Sequence, residues 1–73
     1  MLERLKRILE ESTGNRYNEL TPETNFKTDL GLTSLDLAEI VTEIEDEFDI
    51  EIPDKVLIEF KTVGDVLDFI KRQ

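Results

Sequence analysis

Apolar residues recur along the chain at helical spacing in three places. Leu2, Leu5, Ile8 and Leu9 fall on one face of a segment from Met1 to Thr13, with Glu3, Arg4, Lys6, Arg7, Glu10 and Glu11 opposite. Glu3 and Arg7 stand four apart, a spacing that favours an ion pair along the helix. Gly14-Asn15 supplies a residue suited to the left-handed turn that ends many helices. Leu37, Ile40, Val41, Ile44 and Phe48 mark the longest pattern and predict a helix over Ser34 to Phe48. Thr33 or Ser34 is its natural N-cap, because either hydroxyl accepts an orphan amide proton of the first turn. Val63, Val66, Leu67 and Ile70 share the face of a last helix, opened by Thr62-Val63-Gly64-Asp65, a capping-box variant with Asp in place of Glu. Lys71 and Arg72 lie at its end, where positive charge suits the helix dipole.

Between these helices the pattern changes. Residues 15–33 read as a long loop, with turn chemistry at Thr21-Pro22-Glu23-Thr24-Asn25. Loops this long are uncommon in compact domains and are usually functional or linkers. Tyr17, Leu20, Phe26, Leu30 and Leu32 recur along it, so it is expected to be pinned across the core. Ile50-Glu51-Ile52-Pro53 alternates like a strand but has no partner, and reads as an extended connector. Pro53 is placed to open a short helix with Val56, Leu57 and Ile58 inward. The expected fold is all-α: a small four-helix bundle, three helices longer and one short, with the long loop between the first two. With 73 residues the chain makes one domain, 1–73.

Composition narrows the chemistry. Cysteine and histidine are both absent. That removes disulfides, thiolate or imidazole metal sites and the commonest nucleophiles and general bases. No catalytic residue and no metal site is assigned, and the chain is not read as an enzyme. The longest apolar run is Val56-Leu57-Ile58, which fits neither a membrane span nor a signal-peptide core. A monomeric, cytoplasmic protein without stable membrane insertion is expected.

The net charge of −9 argues against nucleic acid and favours basic partners. Its placement is more informative than its total. Residues 28–54 hold ten acids and no base, whereas the rest of the chain holds eight acids and nine bases. Crowded like charges repel, and they are tolerated where they steer basic partners. On the expected second helix, Leu35, Ala38 and Thr42 form a small apolar strip off the buried stripe. Asp36, Glu39, Glu43, Glu45 and Asp46 surround it. Leu35, Asp36, Ala38, Glu39, Thr42, Glu45 and Asp46 are the candidate recognition residues.

The most informative stretch is Asp29-Leu30-Gly31-Leu32-Thr33-Ser34-Leu35-Asp36-Leu37-Ala38-Glu39. A glycine-containing loop delivers a serine to the first turn of an acidic helix. Its hydroxyl should be exposed, because Leu37, Ile40 and Val41 take the buried face. Orphan amides and the helix dipole favour an anion there.

Asp29, Gly31, Thr33, Ser34, Leu35, Asp36 and Glu39 match in order and spacing the attachment motif of the acyl carrier protein family, which this chain resembles. Glu47-Phe48 with Ile52-Pro53 is similar to that family's helix-end segment, and Thr62-Val63 to the start of its last helix. The resemblance covers about residues 20–70. It implies that a phosphopantetheinyl transferase moves a 4′-phosphopantetheine arm from coenzyme A to Ser34. It further implies a carrier of acyl thioesters in fatty acid-type or specialised lipid or polyketide biosynthesis. The partners would be acyl-transfer, synthase or ligase enzymes with basic docking patches. In this family the acyl chain can lie between the helices, and Leu32, Ile44, Val56, Ile58 and Phe60 are the residues that would border it. Thr33 stands where carriers of primary fatty acid synthesis commonly have Asp, a choice seen in some specialised pathways. The competing readings are an aminoacyl or peptidyl carrier, an acidic helical adaptor that is never modified, and a cation-binding module. The last is disfavoured because no window supplies the EF-hand ligand pattern.

Overall fold

The computed structural model describes residues 1–73. It contains α1 (Leu2–Thr13), α2 (Ser34–Phe48), α3 (Asp54–Leu57) and α4 (Val63–Lys71). The only sheet-like pairing is an isolated antiparallel bridge between Asn25 and Thr62. The expected all-α architecture is therefore found, with three longer helices and one of a single turn. No helix is long and apolar enough to cross a membrane.

Each long helix buries the stripe its spacing predicts. Leu5, Ile8 and Leu9 of α1 meet Leu37, Ile40, Val41 and Ile44 of α2 and Val63, Val66, Leu67 and Ile70 of α4 in one core. Every buried residue is apolar, and no buried polar side-chain atom lacks a partner. The core thus carries no desolvation penalty of the kind an unpaired polar group would impose.

The helix ends follow from backbone chemistry. Gly14 closes α1 in the left-handed region at φ 77°, its amide donating to Glu10. Asp49 closes α2 at φ 55° and is the only non-glycine residue with positive φ. Asp is among the few residues that tolerate this conformation. Thr62 caps α4 as the spacing predicts: its hydroxyl accepts the Asp65 amide, and the Asp65 carboxylate accepts the Thr62 amide. The same carboxylate accepts the Lys61 amide at 2.9 Å. Partial burial pushes the Asp65 pKa up. The two backbone amides, the Thr62 hydroxyl and the Lys61 charge outweigh that effect and hold it below the ordinary carboxylate value.

α1 and α2 are joined by charge as well as by packing. Arg4 donates to Glu47 Oε2 from Nε at 3.1 Å and from Nη2 at 2.9 Å, and its guanidinium lies 4.4 Å from the centroid of the Phe48 ring. Ser12 donates to the Glu43 carboxylate. The expected Glu3–Arg7 pair is not formed, because Arg7 turns across to Glu47 at 3.7 Å. Exposed pairs of either kind are worth at most about 1 kcal/mol, so small differences in geometry decide between them.

The long connection is pinned, as its apolar residues predict. Phe26 and Leu32 are buried, and Tyr17, Leu20 and Leu30 pack at the edge of the core. It is also strapped to the junction of α3 and α4. The Phe26 amide donates to Lys61 O at 3.0 Å, Val63 to Thr24 O at 2.9 Å and Gly64 to Pro22 O at 2.7 Å.

Residues 50–53 are an extended connector, with Ile52 buried and its amide donating to Glu45 Oε2 at 2.6 Å. α3 corrects one expectation. Val56 and Leu57 are half-buried, but Ile58 is 78% exposed. Three consecutive helical residues span about 200° of the helix circumference, so they cannot all face one core. Phe60 takes the inward place instead and meets Phe69 edge-to-face at 5.9 Å between ring centroids.

Candidate functional site

The segment from Asn25 to Asp36 is built by short-range hydrogen bonds. The Asn25 side-chain oxygen accepts the amides of Lys27 at 2.8 Å and Thr28 at 2.9 Å. The Asp29 carboxylate accepts the Asn25 amide at 2.7 Å. Phe26, within this turn, is buried and anchors it. Gly31 then turns the chain at φ 70°. A Cβ there would meet nothing within 4 Å, so glycine is required for the dihedral and not for space. Leu32 returns to the core, its amide donating to Phe26 O at 2.9 Å.

Thr33 is extended, with φ −91° and ψ 172°, and is the N-cap of α2. Its hydroxyl accepts the Asp36 amide at 3.2 Å, and the Asp36 carboxylate accepts the Thr33 amide at 3.0 Å. Of the two hydroxyls considered for this cap, Thr33 takes it. Ser34 becomes the first helical residue: exposed, with its hydroxyl engaged by no protein group. The first intrahelical bond runs from the Leu37 amide to Thr33 O, so the amides of Ser34 and Leu35 have no protein acceptor.

Beside Ser34 lies a cleft of about 160 Å³ lined by Lys27, Ser34, Leu37, Leu57, Ile58 and Phe60. Of the residues expected to border an acyl chain, Ile58 and Phe60 line this cleft. Leu32 and Ile44 are packed into the core, and Val56 faces a separate depression with Phe60 and Phe69. Lys27 and Leu57 were not singled out in the sequence. Lys27 lies just outside the acidic stretch, and Leu57 read only as core. The Thr33–Asp36 box has the same spacing as Thr62–Asp65 and was legible by the same rule.

The seven candidate recognition residues separate into two groups. Leu35, at 71% exposure, is exposed together with Ala38, Glu39, Thr42 and Asp46. Asp36 and Glu45 are half-buried and their carboxylates are committed, Asp36 to the helix cap and Glu45 to the Ile52 amide. Glu43 and Glu47 point to α1. The free acidic face of α2 is thus narrower than its composition suggests. No group of three or more acidic side chains is placed to hold a metal ion.

Comparison with known proteins follows this geometry. The family described as the phosphopantetheine attachment site matches residues 3–70. The fold is similar to a provisionally assigned acyl carrier protein from Mycobacterium tuberculosis, with a TM-score of 0.88 at 33% identity over 96% of this chain and 93% of that one. It is also similar to an acyl carrier protein from Thermotoga maritima, with a TM-score of 0.89 at 28% identity over 97% of this chain and 82% of that one. The site suits the family's covalently bound cofactor: an exposed hydroxyl that spends none of its capacity on capping, two unpaired amides beside it, and a lysine on the same cleft. With a helical fold, a free serine at the head of α2 and a family match over nearly its whole length, the chain belongs to the acyl carrier protein family, whose members are carriers and not enzymes.

Proposed function

We propose that Ser34 carries the 4′-phosphopantetheine arm, donated from coenzyme A by a phosphopantetheinyl transferase. On this reading the chain carries acyl intermediates for fatty acid-type or specialised lipid or polyketide biosynthesis. The observation that carries it is the division of labour at the start of α2. Thr33 performs the capping, which leaves the Ser34 hydroxyl exposed and free of hydrogen bonds.

Ser34 contributes an oxygen and nothing more. No titratable side chain of this protein hydrogen-bonds its hydroxyl, so the base that removes its proton belongs to the transferase. When bound, the arm supplies a thiol that holds acyl groups as thioesters, a group absent from a chain without cysteine. The chain itself presents the serine on a rigid turn and directs encounter. Leu35, Ala38 and Thr42 offer a small contact strip, with Glu39 and Asp46 as its free carboxylates. Basic patches on synthases, acyltransferases or ligases would be steered to that face.

Incubation with coenzyme A and a promiscuous phosphopantetheinyl transferase, read by intact mass, tests the assignment. One arm per chain is expected, and none on Ser34→Ala. No gain on the unaltered protein, or a gain that persists in Ser34→Ala, would sink it.

A further inference from the structure

We infer that Lys27 is the cation that pairs with the phosphodiester at Ser34 and holds the root of the arm on the cleft side of α2; the inference rests on Ser34 being the attachment residue. Three observations carry it. Lys27 and Ser34 line the same cleft, and Lys27 is the only charged residue that does so. The Lys27 ammonium is uncommitted: the protein's two side-chain ion pairs both end on Glu47, at the other end of α2. The Lys27 backbone is held on both sides, its amide by the Asn25 side chain at 2.8 Å and its carbonyl by the Gly31 amide at 3.1 Å.

An ammonium without a partner is unexpected next to ten carboxylates in residues 28–54. The nearby acids explain it. Asp29 is turned to the Asn25 amide and Asp36 to the Thr33 amide. Both carboxylates are thus oriented toward backbone amides of the turn and the cap, and neither forms an ion pair with Lys27. A phosphodiester on Ser34 brings a permanent negative charge to the same cleft, where the unpaired amides of Ser34 and Leu35 add donors. Without Lys27 only those amides and the helix dipole would oppose the repulsion of the acidic helix. The group is exposed, so the pairing biases the arm's position by about 1.4- to 5-fold and weakens with salt.

The test is phosphorus-31 NMR on the arm-loaded protein, comparing the unaltered chain with Lys27→Met and Lys27→Arg. Loading is first verified by intact mass. In the unaltered protein the phosphodiester resonance should move as sodium chloride rises from about 20 mM to about 0.5 M, as screening releases the pair. In Lys27→Met it should stand near the high-salt position at both concentrations, and in Lys27→Arg it should follow the unaltered protein. Coincident resonances for Lys27→Met and the unaltered protein at low salt would overturn the inference. So would failure of Lys27→Met alone to accept the arm, which would make Lys27 a transferase contact instead. A chain that gains no mass, or gains it in Ser34→Ala, fails at the loading step and overturns the attachment site itself. The two failures are therefore distinct.

Discussion

Thr33 and Asp36 exchange hydrogen bonds across the first turn of α2, the hydroxyl taking one amide and the carboxylate the other, at 3.2 and 3.0 Å. Because Thr33 does this work, Ser34 does not have to. Thr33→Ala should destabilise the domain by about 1 kcal/mol. Thr33→Asp should stay within a few tenths of the original, since Asp caps as well as Thr. Urea denaturation of the three proteins checks both values. Equal stability of Thr33→Ala and the unaltered chain would mean that Ser34 takes over the cap.

Gly64 approaches Pro22 as closely as backbone permits. A Cβ at Gly64 would lie 2.9 Å from Pro22 O, and the Gly64 amide already donates to that oxygen at 2.7 Å. Helix propensity alone would make Gly64→Ala favourable by up to ~1 kcal/mol. The clash should reverse the sign and cost about 1–3 kcal/mol. Chemical denaturation gives the sign, and amide shifts confined to residues 22–26 and 61–65 would locate the strain. A gain in stability would show that the strap yields freely.

Asp65 gives acid sensitivity a direction. Its folded-state pKa lies below the ordinary value of 3.8, so its contribution is fully present above that value and is lost as pH falls through the lower, folded pKa. Asp65→Asn should therefore be less stable than the unaltered protein at pH 7, with the gap narrowing below about pH 4. Thermal melts across that range measure it. A gap independent of pH would remove the charge from the explanation.

The carboxylates of α2 should respond unequally to substitution. Glu39→Lys and Asp46→Lys should change stability by no more than about 0.5 kcal/mol. Both should slow association with a basic partner enzyme, more strongly at low salt. Glu45→Ala removes the acceptor of the Ile52 amide, a bond of 2.6 Å at the edge of the core, and should cost about 1 kcal/mol or more. Stopped-flow association and urea denaturation separate the two classes. Identical profiles for Glu39→Lys and Glu45→Ala would contradict the division.

Arg4 contacts both Glu47 and the Phe48 ring. A double-mutant cycle between Arg4 and Glu47 should return about 0.2–1 kcal/mol and shrink with salt. In an Arg7→Ala background, where Glu47 keeps Arg4 as its one partner, Arg4→Ala should cost more than Glu47→Ala, because it also gives up the aromatic contact. The reverse order would assign the helix contact to charge alone.

These comparisons indicate what a sequence can carry. Helical spacing locates α2 from Ser34 to Phe48 because its period repeats over several turns. α3 is too short for a period to develop, so the outward turn of Ile58 left no trace in the pattern. The i,i+4 rule sees only partners on the same helix. Arg4 and Glu47 are 43 positions apart, and nothing local announces their meeting. The choice between Thr33 and Ser34 as cap is written in Asp36, which stands three residues after Thr33, whereas Leu37 stands three after Ser34 and cannot reciprocate. The resemblance to carriers singled out Ser34, but the role of Lys27 emerges only when the turn and the helix head are placed side by side.

The strap between the long connection and the head of α4 has a consequence for the order of events during synthesis. The acceptor for Phe26 and the donors for Thr24 and Pro22 lie at Lys61, Val63 and Gly64. The turn that presents Ser34 closes its own short-range bonds, but its anchorage to the body of the fold is completed only when that later segment is in place. That segment follows Ser34 by a full helix, a connector and α3. A chain made only as far as α2 holds the serine on a turn without this strap, whereas one made through Gly64 holds it on a strapped one. The fixed placement of the turn is thus a property of the assembled fold and not of the head of α2 alone.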